Sequence, residues 1–255
     1  MIGIISAMKE EIQTLHILLK NEKVIKKGMR TYYYGTLFDQ KIVLVFSRWG
    51  KVAAATTTTQ MINDFNIDEI IFTGVAGSIQ KNINIGDIIV GKKLYQHDMN
   101  ASPLVEQFEI PLLRKKYFET DLEKKELLYK ACLQFLNNID SFINKTDSKK
   151  FNISIPKVFK EDIASGDQFI STKQQINSIK NALPNIACVE MEGAAVAQVC
   201  FEYQIPFSII RTISDNANNN SHIDFPKFAK TIASNYALGI LKNYINSNTS
   251  KVSFN

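Results

Sequence analysis

The chain has 255 residues, 45% of them hydrophobic and 22% charged, enough to build one large α/β domain or two small ones. Its formal charge of +5 comes from scattered lysines. Arg114, Lys115 and Lys116, and again Lys124 and Lys125, lie near Glu119, Glu123 and Glu126, a pattern of solvated helix faces rather than of a nucleic-acid footprint.

Three cysteines (Cys132, Cys188, Cys200) form no CxxC pair, which points to a reducing, cytoplasmic setting. Three widely separated histidines (His16, His97, His222) argue against a metal centre. The opening MIGIISAMKEE lacks the basic and apolar regions of a signal peptide. No run reaches the ~20 apolar residues of a membrane helix, so no membrane partner is expected.

Ile2–Ile5 reads as a first strand, and Glu10–Leu19 has helical spacing through Ile12, Leu15, His16 and Leu19. Thr31–Leu37 and Ile42–Phe46, joined by a polar turn at Asp39 and Gln40, read as a hairpin. Val52–Phe65 reads as a helix despite the threonine run 56–59. Ile70–Thr73 is a buried strand leading into a small-residue turn, Gly74-Val75-Ala76-Gly77, and Asp87–Leu94 is another strand.

Thr120 and Glu123 form a capping box for a helix with an apolar face of Leu122, Leu127, Leu128, Cys132, Phe135 and Leu136. The Asn-, Lys- and Ser-rich stretch 137–160 predicts a polar surface excursion. A strand near Ile163, a helix from Thr172, a strand at Ile186–Met191 and a helix from Gly193 follow. A strand at Phe207–Ser214 and a long helix from Pro226 to about Ile245 come next, and 247–255 reads as a frayed tail. The alternation predicts an α/β fold in one domain, residues 1–246, with a central mixed β-sheet flanked by helices.

Residues 188–198, CVEMEGAAVAQ, place Glu190 and Glu192 where an apolar strand passes into a small-residue helix. A carboxylate buried without a partner costs several kcal/mol or shifts its pKa. Ligands of such sheets bind beyond the carboxyl ends of strands. Polar or small residues collect there at Met8–Glu11, Gly74–Ser78, Asp167–Ile170, Glu190–Glu192 and Ser214–Asp215. Taken singly, each has a structural reading: first-turn acids, close-packed glycines, a capping aspartate. Five such strand ends together indicate a site.

Seven stretches then carry a resemblance: IGIISAMKEEI, GKVAAA, FTGVAGSI, INIGDIIV, SGDQFI, VEMEGAAVAQVC and RTISDNAN, in this order across about residues 1–240. The chain resembles the methylthioadenosine/S-adenosylhomocysteine nucleosidases of the nucleoside phosphorylase superfamily. The resemblance implies hydrolysis of the N-glycosidic bond of adenine thionucleosides, with no metal and no organic cofactor. It implies that Glu11 activates water, that Asp215, beside Ser214, protonates adenine N7, and that Glu192 binds the ribose hydroxyls with Met191 beside the sugar.

By the same resemblance, Phe169 stacks on adenine, the backbone of Ile170 reads the base edge, and Val75, Ala76 and Gly77 border the substrate. Met8 and Phe225 line the pocket for the 5′ substituent. The loop from His97 to Pro111, with Ala101 and Leu104, resembles the segment that closes a partner subunit's site, so a homodimer is implied. Glu190 is open between a structural and a functional role, with Arg211 as its candidate partner. Val75 replaces a serine of many relatives and Leu104 an aromatic. Trp49 is either pocket wall or core.

Three acids suit this chemistry. An oxocarbenium-like sugar needs a nearby carboxylate, adenine needs a proton to leave, and water needs a positioned base. A phosphorolytic relative would need donors for phosphate where this chain has Phe72 and Ala7-Met8-Lys9, which leaves Arg48 as the one basic candidate. The sequence also leaves open a nucleosidase specialised for aminofutalosine or 5′-deoxyadenosine, a non-catalytic nucleoside-binding module, and a nucleic-acid binder stacking on Tyr32–Tyr34.

Overall fold

The computed structural model describes residues 1–217 and 221–252. Asn218 of the last motif, the side chain of His222 and residues 253–255 of the tail lie outside what is described.

β1 (Ile2–Ser6) leads into a 3-10 turn at Lys9–Glu11 and the short helix α1 (Gln13–Ile17), where the pattern predicted a single helix. The break falls at Ile12, after Glu11 has turned back to accept the N–H groups of Ala7 and Met8. β2 (Lys20–Lys27) has no counterpart among the predicted elements. It is an edge strand exposed almost throughout, so its sequence carries lysines in place of alternation, which also discourages edge-to-edge pairing. β3 (Arg30–Leu37) and β4 (Gln40–Phe46) form the expected hairpin. Tyr32 is buried in it, with its hydroxyl on Thr57 O, so it offers no stacking surface.

α2 (Lys51–Asp64) tolerates its threonines because Thr56, Thr57 and Thr58 each donate to the carbonyl four residues back. β5 (Glu69–Ser78) is buried along its whole length and runs straight through Gly74–Gly77. The predicted turn is strand. β6 (Ile88–Gln96) and the short β7 (Phe118–Glu119) follow. α3 (Leu122–Asn137) is capped by Asp121, whose carboxylate accepts the N–H of Lys124 at 2.9 Å. The predicted cap Thr120 instead donates to Gly91 O of β6 at 2.7 Å, and Leu122 points into solvent.

The 137–160 stretch holds α4 (Lys145–Lys150) and sends Ile143, Phe151 and Ile153 into the core, so it is packed rather than a purely polar excursion. β8 (Val158–Ser165), α5 (Lys173–Ala182), β9 (Ile186–Glu190), α6 (Gly193–Tyr203) and β10 (Phe207–Asp215) match the expected order. α7 (Ser221–Phe228), a π-helical turn at 229–233 and α8 (Ser234–Val252) complete the chain. The predicted frayed tail is helical up to Val252. Buried Glu69 helps to hold it, accepting from Tyr244 Oη at 2.9 Å and Asn248 Nδ2 at 3.5 Å.

The sheet is mixed. β2, β3, β4 and β1 run in that order to β5. From there β5, β9, β8, β6 and β10 close on themselves, because β10 pairs with β5 as well as with β6. α3 and α8 pack one face, with Phe135, Tyr236 and Tyr244 in the core beneath them. α2 and α6 pack the other, over Ala54, Met61 and Ala194–Ala197. Closure brings the carboxyl ends of β5, β8, β9 and β10 together: Gly77 pairs with both Val189 and Asp215, and Ser165 pairs with Glu190. Among the described residues no helix is long and apolar enough to cross a membrane.

Candidate active site

A narrow cleft of about 80 Å³ lies at these strand ends. Its lining includes Glu11, Glu192 and Asp215 together with Met8, Val75, Ala76, Gly77, Phe169, Ile170, Met191, Ser214 and Phe225. Ala101, Leu104 and Pro111 are not part of it; Leu104 is 89% exposed.

Glu11 is buried, with Oε2 accepting the N–H groups of Ala7 and Met8 and Oε1 that of Val75, each at 3.0 Å. Burial lifts its pKa to about 7, against the opposing pull of Arg211 and of those three N–H groups. Gly74 is required here. A Cβ on it would lie 2.8 Å from Glu11 Oε1 and 2.9 Å from Arg211 Nη1.

Glu190 meets its candidate partner Arg211 at the edge of the cleft. Its Oε2 accepts from Arg211 Nη2 at 2.6 Å, and its two oxygens accept the N–H of Gly193 at 2.9 and 2.8 Å. Ser165 Oγ donates to it as well, and also receives the N–H of Ala194. The carboxylate therefore sits on the N-terminus of α6, where the helix dipole favours negative charge.

β9 ends at Glu190, so Glu192 takes a different direction and accepts the N–H of Gly50 at 2.8 Å. Burial, then the charge of Glu190, push its pKa to about 8, while the Gly50 N–H and Arg211 act downward.

A register shift between Ile213 and Asp215 re-aims the end of β10. Ser214 Oγ then donates to Asp215 Oδ2 at 2.8 Å, and the N–H of Ala217 donates to Oδ1 at 2.7 Å. Phe225 stands between Phe169 and Trp49, with ring centroids 6.2 Å from each. Trp49 is 59% exposed, which decides its two readings in favour of pocket wall over core. It also borders an outer chamber of about 690 Å³, rimmed by Lys9, Arg48 and Lys230, that shares Met8 and Phe225 with the cleft.

Gln168, Val189 and Glu190 also line the cleft; the first two fall in stretches that the sequence singles out without giving either residue a role. Gln168 sits inside both SGDQFI and the strand end Asp167–Ile170, which are the signals that flag it. Among the described residues, no three His, Cys, Asp or Glu side chains converge as metal ligands.

The acids couple stability to pH. The folded-state pKa of Glu11 is raised, so the folded protein keeps a proton there that an unfolded chain has released. That stabilisation is complete below about pH 4.5 and is lost as the pH rises through 7. Glu192 adds a similar fall between 4.5 and 8. Glu11→Gln is expected to remove on the order of 3 kcal/mol of the decline between pH 4.5 and 7, read by urea unfolding, and to leave the Glu192 part. An unchanged slope in the variant would contradict the assignment.

The family model described as the Phosphorylase superfamily matches residues 1–246. The 5′-methylthioadenosine/S-adenosylhomocysteine nucleosidase of Staphylococcus aureus (strain bovine RF122 / ET3-1) is 32% identical over 235 residues, 91% of this chain and 94% of the relative. The crystal structure of the nucleosidase of the same name from Neisseria meningitidis, in complex with methylthio-immucillin-A, is similar with a TM-score of 0.82 at 30% identity. It covers 96% of this chain and 98% of that one. The native structure of futalosine hydrolase of Helicobacter pylori strain 26695 gives 0.81 at 30% identity, over 96% and 97% of the two chains. On this extent of match, the chain belongs to the phosphorylase superfamily and, within it, to the 5′-methylthioadenosine/S-adenosylhomocysteine nucleosidases.

Proposed function

We propose that the protein hydrolyses the N-glycosidic bond of adenine thionucleosides, methylthioadenosine and S-adenosylhomocysteine, and releases adenine. One observation carries hydrolysis over phosphorolysis. The N–H groups of Ala7, Met8 and Val75, a ready cradle for an anionic co-substrate, are already taken by the Glu11 carboxylate. At Phe72, where phosphate chemistry would want a cation, an aromatic ring lies under Arg211.

In this reading the adenine lies against Phe169 with its edge on the backbone of Ile170. Glu192, in its ionised form, accepts from the ribose hydroxyls and stabilises positive charge as the C1′–N9 bond lengthens. The bonding pair departs with adenine, and Asp215, oriented by Ser214 and the Ala217 N–H, gives its proton to N7. A water oxygen bonds to C1′ and its proton passes to Glu11. Proton exchange with solvent then restores Glu11 and Asp215. Val75, Ala76, Gly77 and Met191 border the sugar and base, and Met8 and Phe225 the 5′ substituent.

A nucleosidase for aminofutalosine is the second reading, favoured by the likeness to futalosine hydrolase and by the roomy outer chamber beside Trp49. Comparing kcat/KM for methylthioadenosine, S-adenosylhomocysteine, 5′-deoxyadenosine and aminofutalosine separates the substrates. A cytoplasmic location fits three buried, unpaired thiols.

The purified protein is expected to release adenine from methylthioadenosine in phosphate-free buffer, and Asp215→Asn to lose roughly 10²–10⁴-fold in kcat while still binding the nucleoside. A strict phosphate requirement, or a variant within a few-fold of wild type, would overturn the reading.

The 97–111 loop is proposed to complete the site of a second copy. It is anchored by buried Phe108 and Ile110 and holds Leu104 out in solvent, with Leu112 exposed just after it. Leu104→Asp is expected to weaken dimerisation and activity together; a fully active monomer in sedimentation analysis would contradict the dimer.

A further inference from the structure

Two segments that border the cleft and the root of the 97–111 loop meet at a polar cluster just beyond it. Lys51, the first residue of α2, places Nζ 2.6 Å from Asp98 Oδ1 and donates to Gln96 Oε1 at 3.1 Å. Asp98 Oδ2 accepts the N–H of Asp167 at 2.9 Å, and Asp167 Oδ1 accepts the N–H of Lys51 at 2.8 Å. The circuit is closed, with the Lys51 and Asp98 side chains only 17% and 16% exposed and Asp167 on the solvent side.

Lys51 and Asp167 adjoin groups of the site, and Asp98 links the two. Asp167 immediately precedes Gln168, Phe169 and Ile170, which form one wall of the cleft. Gly50, one residue before Lys51, donates its N–H to Glu192. Asp98 stands at the root of the 97–111 loop.

The turn that aims this N–H is not one the chain adopts by local preference. Arg48 has φ 75° and Gly50 φ 91°, two left-handed residues within three positions. A Cβ on Gly50 would lie 3.0 Å from Asp167 Oδ1, so the turn also fits tightly against the cluster. Such a backbone persists only where its surroundings impose it. Two anchors on the far side of the turn are visible: the Lys51 N–H on Asp167 and the Lys51 ammonium on Asp98.

We propose that Asp98 is a positioning residue for the glycosidic reaction: by holding Lys51 and Asp167 it fixes the 48–51 turn so that the Gly50 N–H keeps Glu192 turned toward the ribose. The catalytic part of this statement rests on the nucleosidase reading. Glu192 is otherwise surrounded by Glu190 and Glu11 with only Arg211 to offset them, so loss of the Gly50 N–H frees the side chain to turn away and removes a donor that favours its ionised form. The same circuit sets the Asp167 backbone, so the wall carrying Phe169 is aligned with the carboxylate rather than independently of it.

Two arms test this on the full-length protein. Asp98→Asn keeps the shape but has one acceptor oxygen for two donors. In native-state hydrogen exchange the Gly50 and Lys51 amides are expected to exchange at least about tenfold faster than in wild type, with the amides of the β5 core unchanged. With methylthioadenosine, kcat is expected to fall roughly 10–100-fold with KM changed by about three-fold or less. In a Glu192→Gln background the same change should cost far less, because the two act as one unit.

Unchanged Gly50 exchange, or an equal kcat loss in both backgrounds, would overturn the proposal. Should Asp98→Asn not fold, Asp98→Glu, which keeps the charge for Lys51 but displaces it, is read by the same amides with the same two outcomes. The exchange arm needs no turnover. A wild-type protein inert toward every adenine nucleoside would therefore refute the nucleosidase reading while leaving the coupling of Asp98 to Gly50 to be judged on exchange alone.

Discussion

Arg211 is the cation around which the site is arranged. It leaves β10 fully buried, lies over the Phe72 ring at 4.1 Å and donates to Glu190. Removing either partner of such a pair leaves an uncompensated buried charge, typically a loss of about 3–5 kcal/mol. The pair also determines where things begin and end: with Glu190 held by Arg211 and by the Gly193 N–H, β9 must stop and α6 must start at this point. Glu192, two residues on, is thereby delivered to the cleft. On the other side Arg211 Nη1 and Glu11 Oε1 converge over Gly74.

One cation thus serves three acids. Glu190 takes the direct contact, and Glu11 and Glu192 receive only part of the field in a site that burial has made poor in solvent. That shortfall is useful. A carboxylate that holds a proton near neutral pH can exchange it with water there, which is the property that the proposed hydrolysis asks of a base regenerated at each turnover. The closed ring of strands makes the arrangement possible, since it gathers the carboxyl ends of β5, β9 and β10 within pairing distance of one another.

Much of this is legible in the sequence. The acids stand at the ends of apolar runs, and the ends of strands in α/β sheets are where ligands bind. The small residues from Gly74 to Gly77 read as a turn yet form strand, and the difference is informative. Gly74 is small because Glu11 and Arg211 fill the space above it, and Gly77 because Asp215 Oδ1 would lie 2.9 Å from its Cβ. The run records close approach of buried charged side chains to a continuous strand.

What stays illegible shares one cause, the absence of a short-range signal. β2 lies on an edge and has no alternation to read. Ile143, Phe151 and Ile153 are too sparse for a period, yet all three are buried. Asp98 is 47 residues from Lys51 and 69 from Asp167, so only tertiary structure brings the cluster together.

The undercompensated acids are the centre of this account, and carboxyl ¹³C NMR titration of the ligand-free protein tests them directly. Glu11 and Glu192 should titrate with midpoints about 7 and about 8. Midpoints for both near the ordinary glutamate value of about 4.3 would contradict it.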